Sequence, residues 1–484
     1  MRPCEGIRKV SVPRASNEQS EQSRESHQAC YIPRYGASTR AGHEQSEQPR
    51  EDRSRRGMKH KNLKNIKTRG NRMATLLIKN IGTLQTPIGS FAHKGRQQGE
   101  NRKLHQAAIL AEDGIIKAIT ADGVLPCGED EADTVIDAEG NLVTPGLVDG
   151  HTHMVFGGYR QNEIPLKLKG AGYLDILRAG GGINDTVQKT RAASFEALYA
   201  KTEGFLDEML ELGVTTCEAK SGYGIDLETE VKLLEVLKAL DQNHPMDVVS
   251  TFMPAHVVLA DWKGREDAFI QLCIDEMMPY VKEHELAEFI DIFTEDSVFD
   301  AAQSRRYLEA ARDLGFGLKI HADEIKAIGG SVLAGELGAT SAEHLIVIDD
   351  EGMASMARGG TIAMCLPATS FYLGATFAPA RRMIDEFEIP VAMASDFNPG
   401  SCPSLNLQFV MNLGYLKYRM TPEEILTAVT INPACGIGRG ETVGTLEAGK
   451  QADLVIWNAP NMEMLCYRFG SNMALATIKK GILV

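Results

Sequence analysis

The sequence predicts an α/β protein: a (β/α)8 TIM-like barrel carrying a small β-sandwich domain built from both chain ends. Three observations predict it. Strand-like and helix-like segments alternate from about residue 144 to 444, the pattern of repeated βα units on a parallel sheet. Short strands with turns between them occupy the stretches on either side. Histidines and carboxylates accumulate at the ends of successive middle strands, the edge at which barrels of this kind place their sites.

Taken in order, residues 1–72 differ from the rest. They are rich in Ser, Gln, Glu and Arg, turn basic from Arg53 to Arg72, and hold too few hydrophobic residues to bury a core. Disorder is the expectation. The segment has neither the apolar stretch of a secretory signal nor the acid-poor composition of a transit peptide. The folded protein is expected to begin at Met73. From there to residue 143, Leu76–Ile81, Ala107–Leu110, Gly114–Ile119 and Thr134–Ile136 read as strands, broken at Glu112-Asp-Gly114 and Glu139-Gly140. Residues 445–484 read the same way around Leu454–Trp457, Ala476–Lys480 and Ile482–Val484, so 73–143 and 445–484 are expected to form one composite β domain.

Residues 144–444 are the expected barrel. Its first strand is Leu147–Phe156, entered through Pro145-Gly146 and left through Gly157-Gly158. Thr215–Lys220, Val248–His256, Phe289–Thr294, Gly317–His321, Ser341–His344, Thr361–Leu366 and Val391–Ser395 follow. Amphipathic stretches lie between them, among them Phe195–Leu212, Leu227–Leu240, Ala301–Leu314 and Ile325–Leu337. Thr421-Pro-Glu-Glu424 has the cap, first-turn proline and capping-box glutamate of a helix start. A doubly wound open sheet is the alternative, but it expects a G-x-G-x-x-G turn after the first strand, and none follows here.

The bulk properties exclude several classes. The 484 residues carry a formal net charge of −14, which disfavours nucleic acid as a partner. No run of about 18 apolar residues occurs, so no membrane span is expected. Nine cysteines are scattered without a C-x-x-C pair, which suits a reducing, cytoplasmic setting better than a disulfide framework or zinc ribbon.

The residues with chemistry cluster by position. His151 and His153 are two apart on a strand, so both project to one face and could grip one divalent metal. The second strand leads into Lys220-Ser-Gly-Tyr223, and the third ends at His256. The fifth ends in His321-Ala-Asp-Glu324, the sixth in Glu343-His344, and the eighth in Asp396-Phe-Asn398-Pro-Gly400-Ser401. Together they describe a polar cup with three or four metal ligands.

The order H-x-H, His on strand five, His on strand six and Asp on strand eight is similar to the amidohydrolase superfamily. So is the closing Gly444-Thr-Leu-Glu-Ala-Gly449-Lys-Gln-Ala-Asp453-Leu-Val455. Within it, His151 to Arg160, Ser221-Gly-Tyr-Gly224, His321-Ala-Asp-Glu324 and Asp396 to Ser401 resemble the imidazolonepropionase family, over everything from about residue 74 onward. The resemblance implies hydrolysis of the ring amide of 4-imidazolone-5-propanoate to N-formimidoyl-L-glutamate, in histidine breakdown. It implies one metal, zinc or iron, held by His151, His153, His321 and Asp396. Binuclear relatives use a modified lysine at the end of strand four; here Glu295 stands there, so a single ion is expected unless Glu295 bridges a second. A homodimer is a further expectation from the family.

On that resemblance, Asp396 is the base that takes the water proton and returns it to the leaving nitrogen. His256 stabilises the developing oxyanion as a preorganised donor. Glu324 binds a ring N–H or steers the proton, and His344 hydrogen-bonds the water or Asp396. Arg160 offers a bidentate fork to the propanoate. Tyr223 closes over the ring, and Asn398, the Gly400 N–H and Ser401 hold the rest of the ligand. Gly180-Gly-Gly182, His244 and His284 carry no assigned role. The rival within the superfamily is a deaminase of a nucleobase or other cyclic amidine, which would give Arg160 no carboxylate to bind. A barrel that only binds would show a broken ligand set, and this one is complete.

Overall fold

Parallel strands covered on both faces usually read as continuous apolar runs. Several strands here instead place a charge at every second position. The computed structural model describes residues 74–170 and 181–484; the expected extension over 1–72 lies outside them. The chain opens with β1 (Thr75–Thr86), β2 (Arg102–Glu112), β3 (Ile115–Thr120), β4 (Thr134–Asp137) and β5 (Leu142–Pro145). The middle holds β6 (Leu147–Asp149), β7 (Val214–Lys220), β8 (Asp247–Phe252), β9 (Phe289–Ile290), β10 (Phe293–Thr294), β11 (Gly317–Ala322), β12 (Ser341–His344), β13 (Ile362–Cys365) and β14 (Val391–Met393). β15 (Leu454–Trp457), β16 (Ala474–Lys479) and β17 (Ile482–Leu483) complete it.

Strands from both chain ends share one hydrogen-bonded sheet of eight, in the order β17-β16-β15-β5-β1-β2-β3 with β4 also on β1. The long β1 makes this possible: it pairs with β4 along its first half and with β5 along its second. A core of Leu76, Ile78, Ile81, Ile109, Val143, Leu454 and Ile478 lies within this part of the molecule.

β6 to β14 are parallel, ordered β14-β13-β12-β11-β9-β8-β7-β6, with β10 also on β11. The ring closes where Thr152 bridges Phe397. It is a (β/α)8 barrel, and the parity of its strands explains the charges. Cys217 and Ala219 of β7, Leu318 and Ile320 of β11 and Ala342 of β12 pack into the large apolar core. Their neighbours Glu218, Lys220, Lys319, His321 and Glu343 point the other way, because successive side chains alternate faces. Most of the expected segments are present; three differ, each for a local reason. The first strand leaves the ladder after Asp149, so His151 and His153 sit on an extended segment beyond β6. The fourth is split into β9 and β10 around Asp291 and Ile292. The helix expected from Ile325 starts at Gly330, since the Glu295 carboxylate captures the Ile325 and Lys326 N–H groups at 2.8–3.2 Å. Thr421 and Glu424 make the expected capping box. Among the described residues all seven cysteines are unpaired, and no helix is long and apolar enough to cross a membrane.

Candidate active site at the barrel mouth

Three chain segments bring four imidazoles together, and a fourth adds a carboxylate. The ring centroids of His151 and His321 are 4.7 Å apart, those of His151 and His153 5.2 Å, and those of His321 and His344 5.1 Å. Asp396 Oδ1 is 3.5 Å from His151 Nε2 and 3.9 Å from His153 Nε2. All are buried. His153, His321, His344 and Asp396 face a cavity of about 220 Å³ that Arg160, Tyr223, His256, Glu324, Asn398 and Ser401 also line.

The backbone that delivers them is strained. His344 has φ 67° and Asp396 has φ 54°, left-handed values that residues with a Cβ adopt at a cost of about 1–3 kcal/mol. Asp396 is held there because its N–H donates to the His151 carbonyl and its Oδ2 accepts from Thr369 Oγ1 at 2.5 Å.

Beneath the histidines lies a layer of charge of which the sequence singles out only Lys220 and Glu343. His151 Nδ1 donates to Glu343 at 2.7 Å, and His321 Nδ1 donates to Asp291 at 3.0 Å. Lys220 Nζ reaches Glu218 at 2.6 Å and Asp291 at 2.9 Å; Lys319 reaches Ser341 at 3.0 Å and Glu343 at 3.7 Å. Glu218, Lys220, Asp291, Lys319 and Glu343 are fully buried. Burial alone would raise the Asp291 pKa, but His321 and Lys220 beside it hold the carboxylate well below its usual range. His151 and His321 therefore each have their outer nitrogen tied to a carboxylate, which fixes the tautomer and turns Nε2 inward as a lone pair, whereas His153 Nδ1 is buried without a hydrogen-bond partner.

That arrangement fits a cation. Burial, with Lys220 and the neighbouring rings, pushes His151 well below the usual imidazole pKa, so it is neutral. Its Nε2 is buried without a hydrogen-bond partner. His153 Nε2 faces His321 Nε2 at 3.3 Å. Unprotonated imidazole nitrogens gathered beside a carboxylate are donors that suit a divalent ion, and they fall into two groups of three. His151, His153 and Asp396 form one such group; His151, His321 and His344 form a second, so His344 also lies close enough to reach an ion.

Other expected residues are placed as follows. The Arg160 guanidinium lies against Gly400, where a Cβ would come 1.4 Å from Nη2. Tyr223 is buried, its ring 5.3 Å from His256. His344 Nε2 is 3.6 Å from Glu324. Burial, with Glu295 nearby, raises the Glu324 pKa to about 7, and burial raises Asp396 to about 6.

Two expectations change. Asn398 Oδ1 accepts from the Gly400 and Ser401 N–H groups at 2.8 and 2.7 Å, while its amide nitrogen donates to Ser401 Oγ and the Asp396 carbonyl. Asn398 and the Gly400 N–H thus organise their own turn, as Asx side chains do, instead of offering free groups to a ligand. His256 Nδ1 is 3.0 Å from the Gly222 carbonyl, and burial lowers its pKa to about 4. The resting ring is neutral with its proton on Nδ1, so Nε2 presents a lone pair and not the ready donor expected. Glu295 is engaged by the N–H groups of Asp296, Ile325 and Lys326, which leaves it poorly placed to bridge a second ion.

The amidohydrolase family model matches residues 142–484. Curated imidazolonepropionases align over nearly their whole length. That of Alkaliphilus metalliredigens is 49% identical over 85% of this chain and 98% of its own. That of Fusobacterium nucleatum is 47% identical over 85% and 99%. The chain belongs to the imidazolonepropionase family of amidohydrolases. Solved structures share the fold at low identity: a 5-methylcytosine deaminase from Klebsiella pneumoniae matches with TM-score 0.63 and 18% identity, covering 84% of this chain and 97% of its own. An adenosine deaminase from Xanthomonas campestris, solved with bound zinc, matches with TM-score 0.59 and 17% identity over 85% and 92%. Metal dependence is a property of this superfamily, and the clustered histidines and Asp396 are where this member would hold its ion.

Proposed function

We propose that the chain hydrolyses the ring amide C–N bond of 4-imidazolone-5-propanoate, adding water to give N-formimidoyl-L-glutamate in histidine degradation. One observation carries this reading beyond the family match. A guanidinium, the natural partner of a carboxylate, shares one small cavity with His153, His321 and Asp396. A propanoate has a partner there; a nucleobase does not.

His151, His153, His321 and Asp396 would hold one divalent ion, zinc or iron. Such an ion lowers the pKa of water toward about 7, making hydroxide available at neutral pH. The rest falls to side chains. Arg160 pairs with the propanoate and sets the ring's distance from Asp396. Asp396 accepts the water proton on its carboxylate and returns it to the departing ring nitrogen. Glu324, ionised, accepts a ring N–H, and His344 at 3.6 Å steadies that carboxylate and the attacking water. His256 meets the substrate through the Nε2 lone pair, which accepts a ring N–H, so it does not serve as a donor to the oxyanion. Tyr223 walls the ring, and Ser401 lines the far side. A cytoplasmic setting and a homodimer belong to the same reading, carried by the family alone.

The test is to supply purified, metal-analysed protein with imidazolone propanoate and, separately, with common nucleobases. Ring opening with formation of formimidoylglutamate is expected. Ammonia release from a nucleobase without ring opening of the imidazolone would replace this reading with the deaminase.

A further inference from the structure

The hydrogen bond that orients His256 comes from the loop after β7, and that loop has its own anchor. Glu230 is fully buried in the helix Leu227–Asn243, and among the described residues it has no cation within salt-bridge distance. Its carboxylate turns back into the loop instead. Oε2 accepts from the Gly222 N–H at 2.9 Å; Oε1 accepts from Gly224 and Ile225 at 2.7 and 2.8 Å. Converging backbone donors thereby offset part of the cost of burying the carboxylate, the reverse of the usual anion nest in which the anion is a ligand.

The loop so held is not one the chain adopts freely. Gly222 has φ 108° and Ile225 φ 62°. A Cβ at Gly222 would meet Met253 O at 2.8 Å and His256 Nδ1 at 2.9 Å. Gly222 is thus gripped on one side by Glu230, while its carbonyl receives the His256 proton on the other. Tyr223, the next residue, forms part of the cavity wall.

We propose that Glu230 is a positioning residue: through the peptide of Gly222 it aims the His256 imidazole, keeping its proton on Nδ1 and its Nε2 lone pair free for the substrate. The inference rests on the hydrolase reading above for its kinetic part only. In Glu230→Gln the amide oxygen can still accept from Gly224 and Ile225, but the amide N–H2 then faces the Gly222 N–H, donor against donor. The Gly222 peptide should rotate and release His256.

The experiment labels histidine with 15N in the metal-loaded full chain and identifies the His256 signal by its loss in His256→Asn. In the wild type the signal should be that of the Nδ1–H tautomer. In Glu230→Gln it should shift toward Nε2–H, with bound metal unchanged, kcat lower by about 10- to 100-fold and KM altered far less. A lowered melting temperature with the His256 signal and kcat at wild-type values would overturn the proposal, leaving Glu230 a stabilising residue only. Should Glu230→Gln not fold, Ser221→Ala removes the side-chain contact to the same carboxylate. It should move the signal in the same direction, and an unmoved signal would equally overturn the idea. Since the tautomer is read without substrate, a wild-type protein inactive on imidazolone propanoate would count against the proposed activity and not against Glu230.

Discussion

Lys220→Met tests the layer under the ligands most directly. The ammonium stands 2.6 Å from Glu218 and 2.9 Å from Asp291. At an effective dielectric constant of about 20, each attraction is about 6 kcal/mol. Methionine fills similar space and removes the lysine's own desolvation penalty, so the net loss is smaller, about 3–5 kcal/mol, the usual result of stranding one side of a buried pair. The more telling effect is on the metal. With Lys220 gone, burial should drive Asp291 toward its protonated form, and a neutral acid holds the His321 Nδ1 proton less well. Loosened outer partners of this kind weaken metal binding about 10–100-fold. Calorimetric melting of the metal-free protein and competition for zinc against a chromophoric chelator measure the two effects separately. Metal affinity equal to wild type in a folded variant would refute the claim that this layer orients the ligands, even if stability fell as expected.

Asp396→Asn should retain the fold while turnover drops by about 10²–10⁴, checked by steady-state assay beside a thermal melt; near-native kcat would remove Asp396 from proton transfer. Arg160→Met should raise KM for the propanoate substrate by about 10–100-fold, the worth of a hydrogen bond to a charged group. Gly400→Ala should act in the same direction, because its Cβ would overlap the guanidinium. Glu324 titrates near 7 against an ordinary 4.5, so kcat/KM should climb with pH and level off above about 7, a limb that Glu324→Gln lacks. For the metal-free protein, a carboxyl with a raised folded pKa favours folding only while protonated, and that contribution fades from about pH 4.5 to 7. Glu324→Gln should therefore be the more stable form above pH 7, by about 3 kcal/mol, and equal to wild type near pH 4. Denaturant titrations at the two pH values decide it.

What could be read from the chain alone was whatever local chemistry dictates. The Thr421/Glu424 capping box, the turn at Glu139-Gly140 and the parity of His151 and His153 need only neighbours in sequence. The strand-end positions of His256, His321, His344 and Asp396 follow from the βα alternation. Missed were Glu218, Asp291 and Lys319; Glu218 and Lys319 left a trace, a charge two residues from Lys220 and His321 inside a strand otherwise fit for the core, while Asp291 stands as a lone charge between Phe289 and Phe293. Their meaning depends on which strands become neighbours, and spacing within one strand does not carry that. The same limit explains Asn398, whose amide suits a ligand or its own turn equally well until the backbone is seen to curl around it. It also explains His256, whose usable nitrogen is decided by a carbonyl 34 residues away.

The place where the ring of strands closes has a consequence of its own. Ser395 N–H donates to Asp149 across 246 residues of chain, Asp396 N–H to the His151 carbonyl, and His153 N–H to the Phe397 carbonyl. Joining the first and last staves of the barrel thus brings two histidines and the aspartate face to face in a single event. An ion seated among them would act as a rivet across that seam, opposing the large entropy released when so distant segments part. Stripping the ion should loosen this edge before any other, and hydrogen exchange at Asp396 and His153 would register the loosening first.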